Sequence, residues 1–148
     1  MLTKKGKYGL KAVAYLAALP VGQTAQVGEV AEAKRIPKKF LDVILGDLRK
    51  AGLLLSRKGK SGGYRLADLP EKLIVGDVIR ALDGPLAPLQ CASKRAYEAC
   101  EDCDAATCNV RLLMSEVREA IGTVLDTYTL ADLRDLSNDQ LTSFVDYI

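Results

Sequence analysis

Val27-Gly-Glu-Val-Ala-Glu-Ala-Lys-Arg35, Ile36-Pro-Lys-Lys39, Phe40-Leu-Asp-Val-Ile-Leu-Gly-Asp-Leu-Arg-Lys-Ala-Gly52, Leu53-Leu-Leu-Ser-Arg57 and Lys58-Gly-Lys-Ser-Gly-Gly-Tyr-Arg65 follow one another without interruption. A short helix, a tight turn, a longer helix and a basic hairpin in that order predict a winged helix-turn-helix, mainly α with a small β wing. Pro37 suits the first turn of a helix, where its missing N–H is not needed. Phe40, Leu41, Ile44, Leu45 and Leu48 recur at 3.6-residue spacing and predict one buried face. Gly52 fits a position just past the helix end. Lys38, Lys39, Asp42 and Val43 fall in the first two turns, the part of a recognition helix that reaches base edges in the major groove. Double-stranded DNA is the expected partner.

The charge distribution points the same way. The 148 residues carry a net charge of +2, but the halves are opposed. Residues 1–65 hold 14 Lys/Arg against 4 Asp/Glu, +10, and residues 66–148 hold 7 against 15, −8. A basic half followed by an acidic one suggests a single face for a polyanion. Histidine is absent, so no Ser-His or Cys-His pair and no His-ligated zinc centre can be built. There is no P-loop and no GxGxxG. An enzyme with a small-molecule substrate is therefore not expected. No apolar run approaches a membrane span, and Met1-Leu2-Thr3-Lys4 lacks the apolar region of a signal peptide, so a cytoplasmic location with no membrane partner is expected.

Upstream, Thr3 can cap a first helix running to about Leu19, with Leu10, Val13, Ala14 and Ala17 facing inward. Lys4, Lys5, Lys7 and Lys11 crowd its opening turns beside Tyr8 and are expected on the phosphate backbone. Gln26–Ala33 is the first helix of the helix-turn-helix, packed through Val30 and Ala31. Downstream, Leu53–Arg57 and Tyr64–Ala67 read as two short strands, with Gly59, Gly62 and Gly63 supplying positive φ. Arg57, Lys58, Lys60 and Ser61 stand on the connecting turn. Together with Gly62 and Gly63 they form a wing tip expected on the minor groove or on phosphate. Thr3, Pro37 and Phe40 complete the candidate DNA contacts.

After Pro70, Leu73–Leu82 reads as an amphipathic helix buried through Val75, Val78, Ile79 and Leu82. Asp83–Pro88 is a linker by composition. Three units are expected: a DNA-binding domain over 1–83, a linker and cysteine loop over 84–108, and a helix with a tail over 109–148. All four cysteines, Cys91, Cys100, Cys103 and Cys108, fall within 18 residues, separated by eight, two and four. Their neighbours are small and polar, so they are expected in a loop outside the core. In a cytoplasmic protein such a set favours metal or redox chemistry over structural disulfides. From about Asn109, Val110, Met114, Val117, Ile121, Val124 and Tyr128 repeat at spacings of 4, 3, 4, 3 and 4, a heptad seam of almost three repeats. The seam can pack within its own chain or on a second copy; paired half-sites favour a homodimer. The tail from Leu130 to Ile148 is acidic and weakly amphipathic, with no role assigned.

With these residues in view, the chain resembles the bacterial winged-helix regulators that include IscR, NsrR, RirA and CymR. The resemblance spans about Leu2–Leu133. It rests on Leu2-Thr3-x-Lys5-Gly6-x-Tyr8-x-Leu10, Ile36-Pro37-x-x-Phe40-Leu41, Leu48–Leu53, Gly59-x-x-Gly62-Gly63-Tyr64-x-Leu66 and a cysteine loop before a long helix. It implies a homodimer joined through the long helix, a palindromic operator and a regulator expected to repress. In several members it further implies an iron–sulfur cluster, 2Fe-2S or 4Fe-4S, on three cysteines and a variable fourth ligand. Cys91 and Cys108 match the outer two, the middle ligand being Cys100 or Cys103. Two positions depart from the pattern: Arg111 stands where some relatives place a histidine ligand, and Lys58 where some have an arginine. A fourth cysteine can replace that histidine. Beside the cluster stand three other readings of the loop: zinc, a metal-free thiol redox switch and no role. A metal-free regulator responding to thiol redox or to a protein partner is the alternative, and the reading from another class is an interaction protein that docks another cytoplasmic protein through its acidic half.

Overall fold

The computed structural model describes residues 2–139. Helix α1 (Lys4–Ala17) is capped by Thr3, whose Oγ1 accepts from the Gly6 N–H at 3.1 Å. Helices α2 (Val27–Lys34) and α3 (Lys38–Lys50) form the helix-turn-helix. Pro37 precedes α3 as its cap residue, one position outside the helix rather than in its first turn. Ala51 and Gly52 end α3: the Gly52 N–H meets the Arg49 carbonyl and the Leu53 N–H the Leu48 carbonyl, both at 3.0 Å. That double closure puts Gly52 at φ +82°, which a side chain resists.

Strands β1 (Leu54–Arg57) and β2 (Gly63–Leu66) pair antiparallel, Leu54 opposite Leu66 and Arg57 opposite Gly63. Ala25 extends this ribbon through two bonds with Tyr64, 2.8 and 2.9 Å. At Gly63, with φ +133°, an added Cβ would strike the Ala25 carbonyl. Gly62 does not supply positive φ as the sequence reading expected; it is a glycine because a Cβ would collide with the Arg57 carbonyl oxygen.

A 3-10 turn over Pro70–Lys72 leads into α4 (Val75–Asp83), which presents Val75, Val78, Ile79 and Leu82 to the interior. A second 3-10 turn, Gln90–Ala92, precedes the remaining cysteines, and α5 (Asn109–Thr127) is the longest helix described. Helix α6 (Leu130–Asp139) then returns across α1. No helix among the described residues is long and apolar enough to cross a membrane.

One core serves α1, α3, α4, the ribbon and the start of α6. The inward face of α1 is rotated from the expected stripe. Ala12 and Leu16 join Val13 and Ala17 in the interior, while Leu10 and Ala14 are half-buried. The reason is close approach: Gly9 lies so near α4 that a Cβ would strike Leu82, and one at Gly6 would strike Asp83, so the α1 side of the contact carries glycines. Phe40, expected inside, is 52 % exposed, because Leu41, Ile44, Leu45 and Leu48 alone fill the buried side of α3. Leu130, placed by the sequence reading in a tail without a role, is fully buried. Residues 140–148 of that tail lie outside the described residues. Leu45→Ala, at a site with no exposure, should cost about 2–5 kcal/mol and lower the melting temperature by roughly 5–15 °C, measured by thermal and denaturant unfolding.

Candidate nucleic-acid interface and cysteine centre

The outward face of α3 is built by the same periodicity that buries its inner face. Lys38, Lys39, Asp42 and Val43 are exposed together, with Pro37 and Phe40 beside them. Phe40 meets Tyr8 edge to face, ring centroids 6.3 Å apart, so the two aromatic rings link α1 to the opening of α3. Lys11 lies over Tyr8 at 5.8 Å and donates to the Lys34 carbonyl at 2.6 Å, which ties α1 to the end of α2.

The lysines of α1 are not equivalent. Lys4 and Lys7 are exposed, whereas Lys5 donates to Asp47 of α3 at 2.6 Å and holds that carboxyl below its usual range. Thr3 is likewise engaged. Its Oγ1 caps α1 and donates to Asp83, and its N–H reaches the other Asp83 oxygen at 2.9 Å. Of the six candidate wing residues, Arg57, Lys58, Lys60 and Ser61 are exposed, Gly62 is buried and Gly63 half-buried. Thr24 and Gln26 fasten this turn from the α1–α2 connection: Thr24 Oγ1 donates to the Ser61 carbonyl at 2.8 Å and Gln26 Nε2 to that of Lys60 at 3.1 Å. The sequence reading missed both, since the contact joins segments more than 30 residues apart.

The cysteines gather at the N-terminal end of α5. Cys91 is buried in the 3-10 turn, contrary to an all-loop placement; Cys108 caps α5, and Cys100 and Cys103 are exposed. Cys91 is buried because its turn packs directly against α5. The thiols form a linked series: Cys91 meets Cys100, and Cys103 meets both Cys100 and Cys108. Possible ligand atoms of Cys100, Asp102 and Cys103 lie within 4.8 Å of one another. The Cys100 thiol, followed by burial, pushes Cys91 up. The Cys108 and Cys100 thiols push Cys103 up to about 12. Cys108 is lowered instead, first by the Arg111 N–H, 3.5 Å from its sulfur, at the positive end of α5.

Two arginines of α5 hold the backbone around these thiols. Arg111 donates through Nε to the Cys91 carbonyl at 2.8 Å and through Nη1 to that of Ala105 at 2.9 Å, with its guanidinium 5.8 Å from the Tyr97 ring. Arg118 donates through Nη1 to the Ala92 carbonyl. Further along α5, Asp126 receives both terminal nitrogens of Arg80 from α4, at 2.8 and 2.7 Å, and is lowered by that contact. The chain between Leu73 and Leu130 is closed by a backbone bridge, Val75 N–H to Tyr128 O and Leu130 N–H to Leu73 O.

No residue of α5 is buried. The side toward its own chain carries Arg111, Ser115, Arg118, Gly122 and Leu125. The seam residues occupy the neighbouring face, about 100° round the helix: Val110, Val124 and Tyr128 are exposed, and Met114, Val117 and Ile121 half-exposed. Leu113, 55 % exposed, joins them and was not in the sequence reading.

Comparison with known proteins gives the same architecture. Residues 2–135 match the family model described as Rrf2, iron-dependent transcriptional regulator. An Rrf2-like HTH-type transcriptional regulator of Rhodobacter capsulatus is 41 % identical over 142 residues, covering 93 % of this chain and 95 % of the relative. Among solved structures, the global cysteine regulator CymR of B. subtilis matches with a TM-score of 0.75 and 32 % identity over 91 % of this chain and 96 % of CymR. IscR of T. potens matches with a TM-score of 0.73 and 29 % identity, over 97 % and 90 %. Helix-turn-helix, wing, cysteine loop and long helix thus occur together across the matched length, and the chain belongs to the Rrf2 family of transcriptional regulators, which are DNA-binding proteins and not enzymes.

Proposed function

We propose that this regulator acts as a homodimeric repressor on a palindromic operator, with operator affinity coupled to a metal–thiolate centre at Cys91–Cys108. The observation that carries the reading is the gathering of four thiols at the N-terminus of a helix that buries none of its own residues. The apolar face of α5 is the dimer contact. The strip Lys38, Lys39, Asp42 reads bases, and Lys4, Lys7, Arg57, Lys58 and Lys60 hold phosphates. Thr3 and Lys5 serve mainly within the protein, given their bonds to Asp83 and Asp47. Three units follow, 1–83 for DNA, 84–108 for sensing and 109–148 for dimerisation, with α6 also bracing the first.

The donor set fits an iron–sulfur cluster: four cysteine sulfurs in a linked series, Cys91 buried, Cys108 half-buried and Cys100 and Cys103 exposed. Cys91, Cys100, Cys103 and Cys108 would hold it, and it would bring redox- and oxygen-sensitive chemistry to the loop. Arg111 and Arg118 keep the Cys91 side in position through backbone carbonyls, so that half is organised in advance. The same sulfurs also fit zinc. Anaerobic purification separates these: brown protein with charge-transfer absorption supports the cluster, colourless protein with stoichiometric zinc supports the structural metal, and colourless metal-free protein leaves the paired thiols as a redox switch.

DNA recognition divides by residue. Lys4→Ala or Lys7→Ala should weaken binding to all sequences alike and reduce the salt slope by about one unit per lost contact. Lys38→Ala or Lys39→Ala should instead change sequence preference by roughly 1–3 kcal/mol per base contact. Equal losses on operator and random DNA in gel-shift titrations would remove Lys38 and Lys39 from the base-reading set.

A further inference from the structure

Next to the cysteine loop, a cleft of about 410 Å3 opens between α4, the connection that follows it and the C-terminal half of α5. Pro85, Leu86 and Ala87 give it an apolar wall. Gly122 lines it without a side chain, and a Cβ there would have its nearest neighbour, Asp126, 3.9 Å away, so the wall has room at that point. The charged lining is unbalanced: Arg80, Lys94, Arg95 and Arg118 against Glu119 and Asp126, four less two, or +2.

Pairing within the cleft does not satisfy these cations equally. Arg80 gives both terminal nitrogens to Asp126. Glu119 serves Lys94 at 2.5 Å and Arg118 at 2.7 Å through the same oxygen, Oε1. Arg95 is exposed and makes no hydrogen bond among the described residues; Asp126 feels its charge only at longer range. Arg118 Nε is buried with no partner, the one such side-chain nitrogen or oxygen among the described residues. That Nε lies beneath the cleft surface, and both terminal nitrogens are engaged, by the Ala92 carbonyl and by Glu119, so Arg118 acts on the cleft by its charge while the exposed Arg95 guanidinium keeps its planar fork free for an oxyanion. Arg118 also holds the Ala92 carbonyl, and Arg80 belongs to α4. A molecule in the cleft therefore touches the loop, α5 and the helix behind the wing at once.

We propose that this cleft binds a small organic anion, an oxyanion head on Arg95 in the positive field of Lys94 and Arg118, with a short apolar body against Leu86. Its size falls in the range of small-molecule pockets, and it combines an apolar wall with few converging polar groups. An anion here fastens α5 to α4 and gives the regulator an input separate from its thiols.

Isothermal titration of the full-length protein, without DNA, tests this with butyrate, inorganic phosphate and tetramethylammonium as a cation of similar size. At least one anion should bind saturably with a Kd below about 10 mM, the weak end for a small ligand, and the cation should not bind. Butyrate binding alone identifies a carboxylate with its apolar body, and phosphate binding alone a phosphate head. Arg95→Ala should weaken the bound anion by roughly tenfold, one charge-assisted contact. Gly122→Leu, favourable to the helix, should fill the open wall and abolish binding while circular dichroism keeps α5 intact. Failure of both anions to saturate, or unchanged binding in both variants, overturns the proposal.

Discussion

Replacing Val117 and Ile121 together by aspartate should give a folded monomer that no longer binds its operator. The two positions lie half-exposed on the open side of α5, where Val110, Leu113 and Val124 each keep half or more of their surface in solvent. In a dimer the variant would set four carboxylates in an apolar seam without counter-ions, at a penalty of several kcal/mol per buried charge. A single half-site then remains for each molecule, and operator affinity should fall by roughly two orders of magnitude or more. Sedimentation velocity reads the mass and a gel shift reads the affinity. Circular dichroism checks that α5, whose contacts with its own chain run through Arg111, Arg118 and Leu125, survives. A dimer that persists would assign this face to something other than self-association.

The second large effect should come from the cysteines. Protein reconstituted anaerobically and the same protein stripped by chelator should differ in operator affinity by about 5- to 150-fold, the range of a coupling of about 1–3 kcal/mol. Cys91→Ala and Cys108→Ala should each fix the stripped value, since these two sulfurs sit at the fastened ends of the loop. Equal affinities for the loaded and stripped forms would remove the switch even where metal is bound. The expected route is short: Arg118 joins the Cys91 turn to α5, Asp126 joins α5 to Arg80, and α4 packs on both α1 and α3. Arg80→Ala should therefore narrow the difference between the two forms in the same gel-shift titration, with the absorption of the loaded protein unchanged.

The helix-turn-helix and wing were legible because their signals are local. Leu41, Ile44, Leu45 and Leu48 repeat at helical spacing, and Gly52 and Gly63 stand where the backbone needs positive φ. Phe40 misled because periodicity measures hydrophobicity, and a solvent-facing aromatic at the helix edge looks like one more core residue. The rotation of α1 was hidden for the opposite reason. Gly6, Gly9 and Ala12 carry almost no hydrophobic signal, yet they mark where α1 comes closest to its neighbours. Around the cysteines, spacing pointed to a thiol cluster but could not show that Cys91 is buried. Nor could it show that Arg111, which flanks the seam and stands where some relatives have a histidine, holds the Cys91 and Ala105 carbonyls. Those contacts join segments that only the tertiary structure brings together.

Leu130 sets an order on synthesis as well as a position in space. Its side chain is fully enclosed, and its N–H closes a backbone bridge to Leu73, across a stretch that contains the whole cysteine loop. A nascent chain that has released only its first 83 residues therefore has every element of the winged helix but an open seat in its interior. The ribosome must deliver about fifty further residues before the seat is filled, a long-range closure of the kind that slows folding. The thiols thus leave the exit tunnel before the helix that completes the DNA-binding half.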